Sequence, residues 1–457
     1  MVVDSHLKIA RRSRMVMEKG ISMHLSFGKI LNWMLHRPLL VILTTAAVTL
    51  FFAWQLPNLS FKTSIYDLQI EDLPETVRYN DFKKLFGSDE IIRVVIKSNN
   101  VFDPVTFRKI EQLAETAAAI EGVRRIISLP DIKKAIDVSG DWGMEKFYTV
   151  VSKVDLFRQN LISTDRKTTA LTLVLKNEAD PETVIQSVRQ MIALAPQDLM
   201  LYQTGMPLVS EALAKFTKKD FFRLPPITFL LIIIILFCLF RKPQFILIPI
   251  SSVGLSLVWT FGLMAFLQIP LSMLTMIVPV FLIAVGTAYC LHIVSEYLNC
   301  LGEAKSPVEA TVKTFSSMAL PTFLAVLTTI IGLGSLLINR INAIQEFALF
   351  SCFGMVSILI IVLTFIPAVL SLMPLPQKKK KESIDSKGVF SRFIDKIVDL
   401  DLNQQKTVLP VIGALVLICV VGIFFIRVET NPVGYLKEGT PVRRNFNDIY
   451  QDLSGSF

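Results

Sequence analysis

The sequence predicts a polytopic α-helical membrane protein with one exported α/β sandwich domain, a ferredoxin-like domain built from a β-α-β repeat. Three observations lead to this fold class. Hydrophobic residues make up 52% of the 457 residues and charged residues only 19%, whereas about a quarter of the residues are charged in a soluble domain. The apolar residues lie in long uncharged runs. The segment from Pro57 to Asp220 has instead the mixed composition of a soluble domain.

Seven apolar runs predict seven membrane-spanning helices. A bilayer core of about 30 Å needs about 20 apolar residues at ~1.5 Å per residue, and each run reaches or approaches that length. Trp33 and Trp54 flank the first run, as interfacial aromatic anchors do. The runs are Leu39–Leu59, Leu224–Phe240, Phe245–Leu267, Leu271–Ser295, Met318–Ile338, Phe347–Leu372 and Thr407–Ile426.

Basic residues beside these runs predict the orientation. The first 37 residues are basic, and apolar residues at helical spacing in His24–Leu35 predict a short helix on the inner membrane surface. The first run ends without a small-residue cleavage site, so we expect an uncleaved anchor. Arg241-Lys242 and Lys378–Lys381 must be cytoplasmic if the N-terminus is. We therefore expect a multi-pass protein of the bacterial inner membrane with a cytoplasmic N-terminus.

These signals divide the chain into seven predicted parts. The exported domain is the longest insertion between two membrane runs, and the five-helix block follows it directly. The parts are a cytoplasmic basic and amphipathic N-terminus (1–37), the first transmembrane helix (38–60), the exported periplasmic α/β domain (61–222), the five-helix transmembrane block (223–373), a basic cytoplasmic linker (374–405), the seventh transmembrane helix (406–427) and the start of a second exported domain (428–457).

The exported segment alternates predicted strands and helices, which indicates a two-layer α/β sandwich. Gly122 ends the first helix, and Asp180-Pro181 is a typical helix start. An irregular stretch through Trp142 separates the two β-α-β units. The predicted elements are strand Glu90–Lys97, helix Pro104–Glu121, strand Val123–Leu129, strand Thr168–Lys176, helix Glu182–Leu194 and strand Leu199–Gln203.

A short internal repeat follows the first and the seventh runs. It indicates that a second copy of the arrangement of one membrane helix and one exported domain begins near the C-terminus. We therefore expect residues 428–457 to be the beginning of a truncated second half. The matching pairs are Lys62-Thr63 with Glu429-Thr430, Val77-Arg78 with Val442-Arg443, Asn80-Asp81 with Asn447-Asp448 and Gly87-Ser88 with Gly455-Ser456.

Composition also excludes several function classes. The net charge of +9 does not indicate nucleic-acid binding, because the basic residues cluster beside the apolar runs on alternating sides. The five cysteines lie in or next to apolar runs, so neither a disulfide framework nor a zinc-binding spacing exists. The chain has no G-x-x-x-x-G-K-[ST] loop. We expect no catalytic residues, no metal, no cofactor and no enzyme activity.

The five-helix block resembles the resistance-nodulation-division (RND) superfamily, and most closely its MMPL-type predicted exporters. Its fifth predicted helix also resembles the sterol-sensing block of Patched-like proteins. The stretch from Val285 through Gly286, Ala288, Tyr289 and His292 to Tyr297 is similar to the signature G-x-D-Y-x-x-H-x-x-x-R-Y. The run Leu327–Leu336, which follows Pro321, is similar to the fifth helix of the family.

The sequence departs from the signature at two positions. The family aspartate, which the resemblance assigns to a proton relay inside the membrane, falls at Ala288, and the family arginine is Glu296. No Asp, Glu, Lys or Arg occurs between Lys242 and Glu296. Since a charge in mid-membrane is costly and is kept mainly for function, we predict that this half lacks the usual coupling carboxylate.

The candidate transport-path or coupling residues are Gly286, Ala288, Tyr289, His292, Thr328 and Thr329. Each also has a structural interpretation. His292, about 31 Å along a helix that starts at Leu271, is either an interfacial side chain or a proton-sensitive group. Tyr289 and the threonines either line a path or satisfy hydrogen bonds within the bundle. Gly286, Gly332 and Gly334 are predicted to permit close helix packing.

Topology and resemblance predict secondary transport: efflux or inter-membrane movement of hydrophobic or amphiphilic molecules, such as lipids. The expected partners are membrane lipids, a hydrophobic small-molecule or lipid cargo, and a second transporter half or homo-oligomer. Two alternatives stay open at this point. One is a lipid-binding sensor or scaffold that transports nothing, which the missing aspartate favours. The other is an inert fragment of a split transporter gene.

The predicted topology can be tested by cysteine labelling of intact cells with a membrane-impermeant reagent. Ser139→Cys, in the exported segment, should be labelled, whereas Ser383→Cys, in the basic linker, should not. Labelling of Ser383→Cys before the cells are broken would contradict the predicted orientation.

Overall fold

The structure is a computed structural model of the chain, and it describes residues 31–61, 70, 73–86, 90–240, 242–374, 389–427 and 431–453. Some predicted features lie outside these residues. They are most of the inner-surface helix His24–Leu35, the basic cluster Lys378–Lys381, the pairs Lys62-Thr63 and Glu429-Thr430, and the pairs Gly87-Ser88 and Gly455-Ser456.

The first half of the described chain contains one long helix and then an α/β domain. In chain order its elements are α1 Pro38–Gln55, α2 Pro74–Phe86, β1 Ile91–Lys97, α3 Pro104–Ala118, β2 Val123–Ile127, α4 Leu129–Ile136, α5 Met144–Val151, α6 Asp155–Asn160, β3 Thr168–Leu175, α7 Pro181–Ala193 and β4 Met200–Thr204. The remaining elements are α8 Met206–Phe240, α9 Pro243–Phe266, α10 Val278–Leu301, α11 Pro307–Gly334, α12 Asn342–Leu372, α13 Val389–Asn403, α14 Gln405–Ile423 and α15 Pro441–Asp452.

Within the described residues, seven helical segments are long and apolar enough to cross a membrane. They correspond to α1, α8 to α12 and α14, in the order of the seven predicted runs. The chain is therefore a polytopic helical membrane protein. The number of spans agrees with the prediction, whereas three of their starting points do not. The fifth run was predicted from Met318, but α11 begins at Pro307. The second and fourth spans also differ.

The second span begins far earlier than its apolar run. A start near Leu224 was expected, but α8 is one helix of 35 residues that begins at Met206, directly after β4. Its N-terminal part is polar and belongs to the α/β domain, where Leu208 joins the domain core. Hydropathy detects only the part of a helix that meets lipid, so it missed these residues.

The fourth span begins later than predicted. The helix was expected from Leu271, but α10 starts at Val278 after a 3₁₀ turn over Thr275–Ile277. The backbone N–H of Leu271 donates to the Ser60 carbonyl at 2.9 Å, and the Thr275 hydroxyl accepts from the Ser272 backbone N–H at 2.8 Å. These bonds hold the apolar residues before Val278 in a non-helical connection.

The α/β domain has a four-stranded antiparallel sheet in the order β2-β3-β1-β4. The register pairs Val94 with Leu171 between β1 and β3, and Val94 with Gln203 between β1 and β4. Helices α3 and α7 cover one face of the sheet. The core between these layers includes Ile92, Val94, Ile96, Phe107, Ile110, Leu113, Leu171, Leu173, Val184 and Val188.

The predicted strands and helices of this domain agree with the structure to within a few residues. Asp180 accepts from the backbone N–H groups of Glu182 and Thr183 and so caps α7, as the Asp180-Pro181 pair predicted. The hydrogen bond from the Thr183 hydroxyl is the main cause that lowers the pKa of Asp180 below its usual range. The stretch expected to be irregular, which ends at Trp142, contains the short helix α4. The residues between Trp142 and β3, for which no element was predicted, contain the short helices α5 and α6. Each has at most eight residues, too few to show a clear period.

The second face of the sheet is covered by α15, which comes from the far end of the chain. Ile449 and Leu453 pack on Val95 and Ala170 in a small buried cluster. The Lys97 ammonium lies 2.6 Å from a carboxylate oxygen of Asp452. As a result every residue of β3 is buried, although the sheet is antiparallel. The sequence did not predict this cover.

Residues Pro374–Gly434 form a separate compact unit, in which α13 and α14 contact each other. The other spans belong to the first unit, where α9, α10 and α12 pack together and α1 lies against α9. The Trp259 indole N–H donates to the Thr49 hydroxyl at 2.9 Å, which fixes α9 against α1. Gly262 permits this approach, since a Cβ atom there would lie 2.5 Å from Phe52.

The turn between β4 and α8 requires glycine for two reasons, and this gives a stability prediction. Gly205 has φ +144°, and an added Cβ would overlap the Ile91 carbonyl. Gly205→Ala should therefore cost about 2 kcal/mol or more. Gly140→Ala is the matched control, because Gly140 also has positive φ (+75°) but meets no atom within 4 Å.

The thermal unfolding midpoint of each detergent-purified variant is measured, with limited proteolysis of the α/β domain as the readout of unfolding. The midpoint should fall further for Gly205→Ala than for Gly140→Ala. Equal losses in the two variants would mean that the contact with Ile91 does not matter.

Candidate functional site

Helix α10, which contains most of the predicted site residues, has a buried and an exposed face. Leu282, Gly286 and Ile293 lie on the buried side, against α9 and α12. Ala288 and His292, one helical turn apart, lie on the exposed side. The predicted residues of α10 therefore do not lie in one place. One part of the site is on the buried face of this helix, and the other part is on its exposed face.

Gly286 is the point of closest approach within the bundle. A Cβ atom at this position would overlap Ile358 Cδ1 of α12 and would lie 3.1 Å from Val253 of α9. Only glycine leaves room for both neighbours, and close approach of this kind is how helices associate inside a bilayer. Gly286 thus fits the packing interpretation directly.

Tyr289 and Thr329 form a hydrogen-bonded link between α10 and α11. The Tyr289 hydroxyl lies 3.1 Å from the Thr329 hydroxyl and 3.3 Å from the Ala325 carbonyl, and it can donate its one hydrogen to either of them. The Thr329 hydroxyl donates to the same carbonyl at 2.9 Å. Tyr289 is partly buried, so this polar group lies within an otherwise apolar surrounding. Sequence analysis named both residues, and the structure brings them together.

Thr328, by contrast, points away from this link. Its side chain is exposed, and its hydroxyl donates to the Ala325 carbonyl of its own helix at 2.9 Å. This is the local satisfaction of a carbonyl that threonines in membrane helices commonly provide.

Gly332 and Gly334 do not have the packing role that was predicted for them, as far as the described residues extend. A Cβ atom at either position would meet no atom within 4 Å. Both glycines lie near the end of α11, where that helix changes to a 3₁₀ turn. The proximity of two glycines in an apolar run resembles a packing motif, but neither glycine is the point at which a described neighbour approaches.

His292 lies in the second half of α10. Because α10 begins at Val278 and not at Leu271, His292 is about 21 Å from the start of the helix and about 13 Å from its end at Leu301. Its side chain is exposed on the same face as Ala288.

The structure also shows buried hydroxyl groups that the sequence analysis overlooked. Ser256 and Thr260 of α9 and Ser351 of α12 are fully buried. The Ser256 hydroxyl donates to the Gly354 carbonyl of α12 at 3.0 Å. Ser252, Ser256 and Thr260 follow one another at intervals of four residues, a spacing that places them on one helix face. That spacing was the available signal.

Together these groups supply hydrogen-bond donors and acceptors but no strong acid or base. The described residues contain no cluster of three or more His, Cys, Asp or Glu that could bind a metal ion. The apolar part of every span is free of Asp, Glu, Lys and Arg.

The chain is similar to a family model and to the following three known proteins. The model of the MMPL family matches residues 76–396. A membrane protein of Methanocaldococcus jannaschii is 22% identical over 382 residues, which cover 78% of this chain and 97% of that protein. A membrane protein of Bacillus subtilis is 23% identical over 72% of this chain and 35% of its own length. The apo-petrobactin exporter of Bacillus anthracis is 27% identical over 41% of this chain and 28% of its own length. This chain thus spans about a third of each Bacillus protein.

The contact at Gly286 gives a second stability prediction. Gly286→Ala should destabilise the bundle by about 1–3 kcal/mol, because its methyl group would overlap Ile358. Ile358→Val removes the overlapping Cδ1 atom, so the double variant should recover part of this loss. Gly332→Ala is the matched control and should change little, since its Cβ would lie in open space.

The measurement is the thermal unfolding midpoint of the detergent-purified variants. If the midpoint of the double variant falls by the sum of the two single losses, Ile358→Val gives no recovery. Gly286 and Ile358 then do not meet as described.

Proposed function

Because the chain belongs to the MMPL family, we propose that it is part of a transport system that moves hydrophobic or amphiphilic molecules across or between membranes. The exporter among its relatives supports transport as the activity class. Lipids are the cargo class that we favour, since the seven spans expose broad apolar surfaces and their cores contain no charge that would bind an ionic cargo. An enzymatic activity is not part of the proposal.

The proposed location is the bacterial inner membrane, with the N-terminus in the cytoplasm and the α/β domain exported. The distribution of Lys and Arg beside the spans supports this orientation. We further propose that the α/β domain is ferredoxin-like. The strand order β2-β3-β1-β4 and the two helices on one face of the sheet support this proposal.

The observation that supports the mechanism best is the link from Tyr289 to Thr329 among span residues that include no acid. Two hydroxyl groups and one carbonyl can exchange partners without moving a charge through the membrane. Rearrangement of α10 against α11 would break this link and open the space between the helices. In this proposal the hydroxyl link holds one conformational state.

Energy coupling must then come from outside the acid-free core. The position of the family aspartate holds Ala288, and His292 is the only histidine within the spans of the five-helix block. Ala288 and His292 lie on the exposed face of α10. We propose that this face meets a second transporter half or another copy of the chain, and that a proton, if one is used, passes through His292 or through that partner.

The second candidate function is a lipid-binding sensor or scaffold. The absence of a carboxylate at Ala288 favours it, because coupled transport in related proteins is assigned to that group. The two functions differ in an observable way: a sensor binds lipid without moving it.

The test is cargo movement in vesicles that contain the purified chain, a fluorescent phospholipid and an imposed pH gradient. We compare the original chain with His292→Ala, Ala288→Asp and Tyr289→Phe. Any gradient-dependent movement should be lost in His292→Ala, and Tyr289→Phe should slow movement several-fold because the link to Thr329 is lost. Tyr297→Phe is the matched control: it removes a bond to the Leu370 carbonyl of α12 and leaves α11 untouched.

Gradient-driven movement that survives His292→Ala would contradict the coupling proposal. Binding of the phospholipid without movement, with or without a gradient, would favour the sensor over the transporter.

A further inference from the structure

The segment of α8 just before its spanning part is rich in basic residues. Lys215, Lys218, Lys219 and Arg223 lie within nine residues, and Asp220 is the one acid among them. In the proposed orientation this segment is at the exported end of the span, whereas Lys and Arg normally accumulate at cytoplasmic ends. A long exported domain is translocated despite such charges, but this tolerance does not explain why they cluster beside the membrane.

The other exported connections of the five-helix block have no such cluster. Residues 267–277, between α9 and α10, contain no charged side chain, and residues 335–341, between α11 and α12, contain Arg340 as their one charged residue. Residues 56–61, which follow α1, are also uncharged. The accumulation of positive charge is therefore a property of α8 and not of this membrane boundary in general.

The four basic side chains lie on one face of α8. Together with Phe222 they follow the spacing i, i+3, i+4, i+7 and i+8 from Lys215, which places them on the same side of a helix. All four are exposed, and Phe222 is 62% exposed. Within the part of the chain that the structure describes, none of the four is paired with a carboxylate. We call Lys215, Lys218, Lys219 and Arg223 the basic face.

Aromatic rings lie beside these cations. The Lys218 ammonium is 5.0 Å from the centroid of the Phe61 ring, which is within the range of a cation–π contact. The Phe61 ring also lies 5.8 Å from the ring of Phe222, and Phe216 is exposed one turn further out. Aromatic residues are enriched where a membrane meets water. The mixture of exposed rings and cations is thus typical of a membrane interface and differs from a face that meets water alone.

The depth of the basic face matches the headgroup layer. The apolar run begins at Leu224, directly after Arg223. At about 1.5 Å per residue, Lys219 and Lys218 lie about 6 and 8 Å further out than Arg223, and Lys215 about 12 Å. The headgroup region on each side of the hydrocarbon core is about 5–8 Å thick. Side chains lean toward the N-terminus of their helix, which is here the exported end, so the Arg223 guanidinium reaches the headgroups.

Apolar surface continues from the basic face into the membrane. Leu230, Ile233 and Phe237 of the spanning part of α8 are all exposed. The acyl chains of a lipid whose headgroup lies at the basic face would run along these side chains. A phospholipid can therefore contact the cations and the apolar surface at the same time, whereas a soluble anion would meet the cations alone.

We propose that the basic face binds the headgroup of an anionic phospholipid in the leaflet on the side of the exported domain. Arg223 and Lys219 contact the phosphate, and Lys218, held on the Phe61 ring, adds a third positive charge. Each cation near an anionic lipid surface strengthens binding about fivefold, so the site selects anionic over zwitterionic lipids. This inference goes beyond the proposed function, because it uses the proposed orientation to choose the leaflet and requires no transport.

The first experiment measures lipid selectivity. The full chain, purified in detergent, is incubated with equal amounts of phosphatidylglycerol and phosphatidylcholine, and native mass spectrometry counts the bound molecules of each. The original chain should prefer phosphatidylglycerol. The triple variant Lys218→Gln/Lys219→Gln/Arg223→Gln should lower this preference at least tenfold, because it removes the three cations at headgroup depth.

The matched control is a second triple variant that removes the same charge from exposed positions of the α/β domain outside α8. It is Arg108→Gln/Lys153→Gln/Lys176→Gln, and its lipid preference should stay within about twofold of the original. Lys215→Gln should also change the preference less than twofold, because Lys215 lies beyond the headgroup layer. Equal losses in the two triple variants, or an unchanged preference in both, would contradict the proposal.

The second experiment identifies what covers the basic face in the native membrane and leaves all four cations in place. Photoreactive benzoylphenylalanine replaces Phe222 in the full chain, and Val138, which is 90% exposed on the same domain, provides the control position. After illumination, mass spectrometry should find anionic phospholipid attached at position 222 and none at position 138. A protein adduct in place of lipid at position 222, or equal lipid labelling at both positions, would overturn the proposal.

Discussion

The apolar part of every membrane span lacks Asp, Glu, Lys and Arg, and this constrains the whole bundle. Inside a bilayer, apolar surfaces gain little by leaving lipid, so helices associate through close fit and hydrogen bonds. The close contacts occur at Gly262 against Phe52, Gly286 against Ile358, and Gly354 against Leu282. Each glycine lies where a larger residue would separate two helices. Two of these contacts join α10 to α12, and the third joins α9 to α1.

Hydrogen bonds between helices supply the remaining specificity. Trp259 joins α9 to α1, Ser256 joins α9 to α12, and Tyr297 joins α10 to α12. All of these donors are neutral. Exchange of one such partner for another costs far less than the movement of a charge within lipid. A bundle of this kind can adopt more than one packing, which is a requirement for alternating access.

The sequence predicted the features that depend on composition along the chain. The seven spans followed from hydropathy, and the strands and helices of the α/β domain followed from their apolar period and from Asp180. Features that depend on contacts between distant residues were not predictable. The polar start of α8, the turn before Val278 and the cover of the sheet by α15 are set by tertiary packing. The same limit applies to the site. Tyr289 and Thr329 were predicted separately, because their contact depends on how α10 is rotated relative to α11.

The continuous helix α8 has a mechanical consequence. Its 35 residues form a rod about 52 Å long, which begins inside the α/β domain and ends at the far side of the membrane span. Pro225 and Pro226 interrupt its hydrogen bonding near the middle, because they cannot donate to the carbonyls of Phe221 and Phe222. There the ring of Phe221 packs on Phe61 and Phe261 at 5.6 Å. A bend of 10° at this point would move either end of α8 by about 4 Å. A small tilt of the spanning part of α8 would therefore displace the α/β domain.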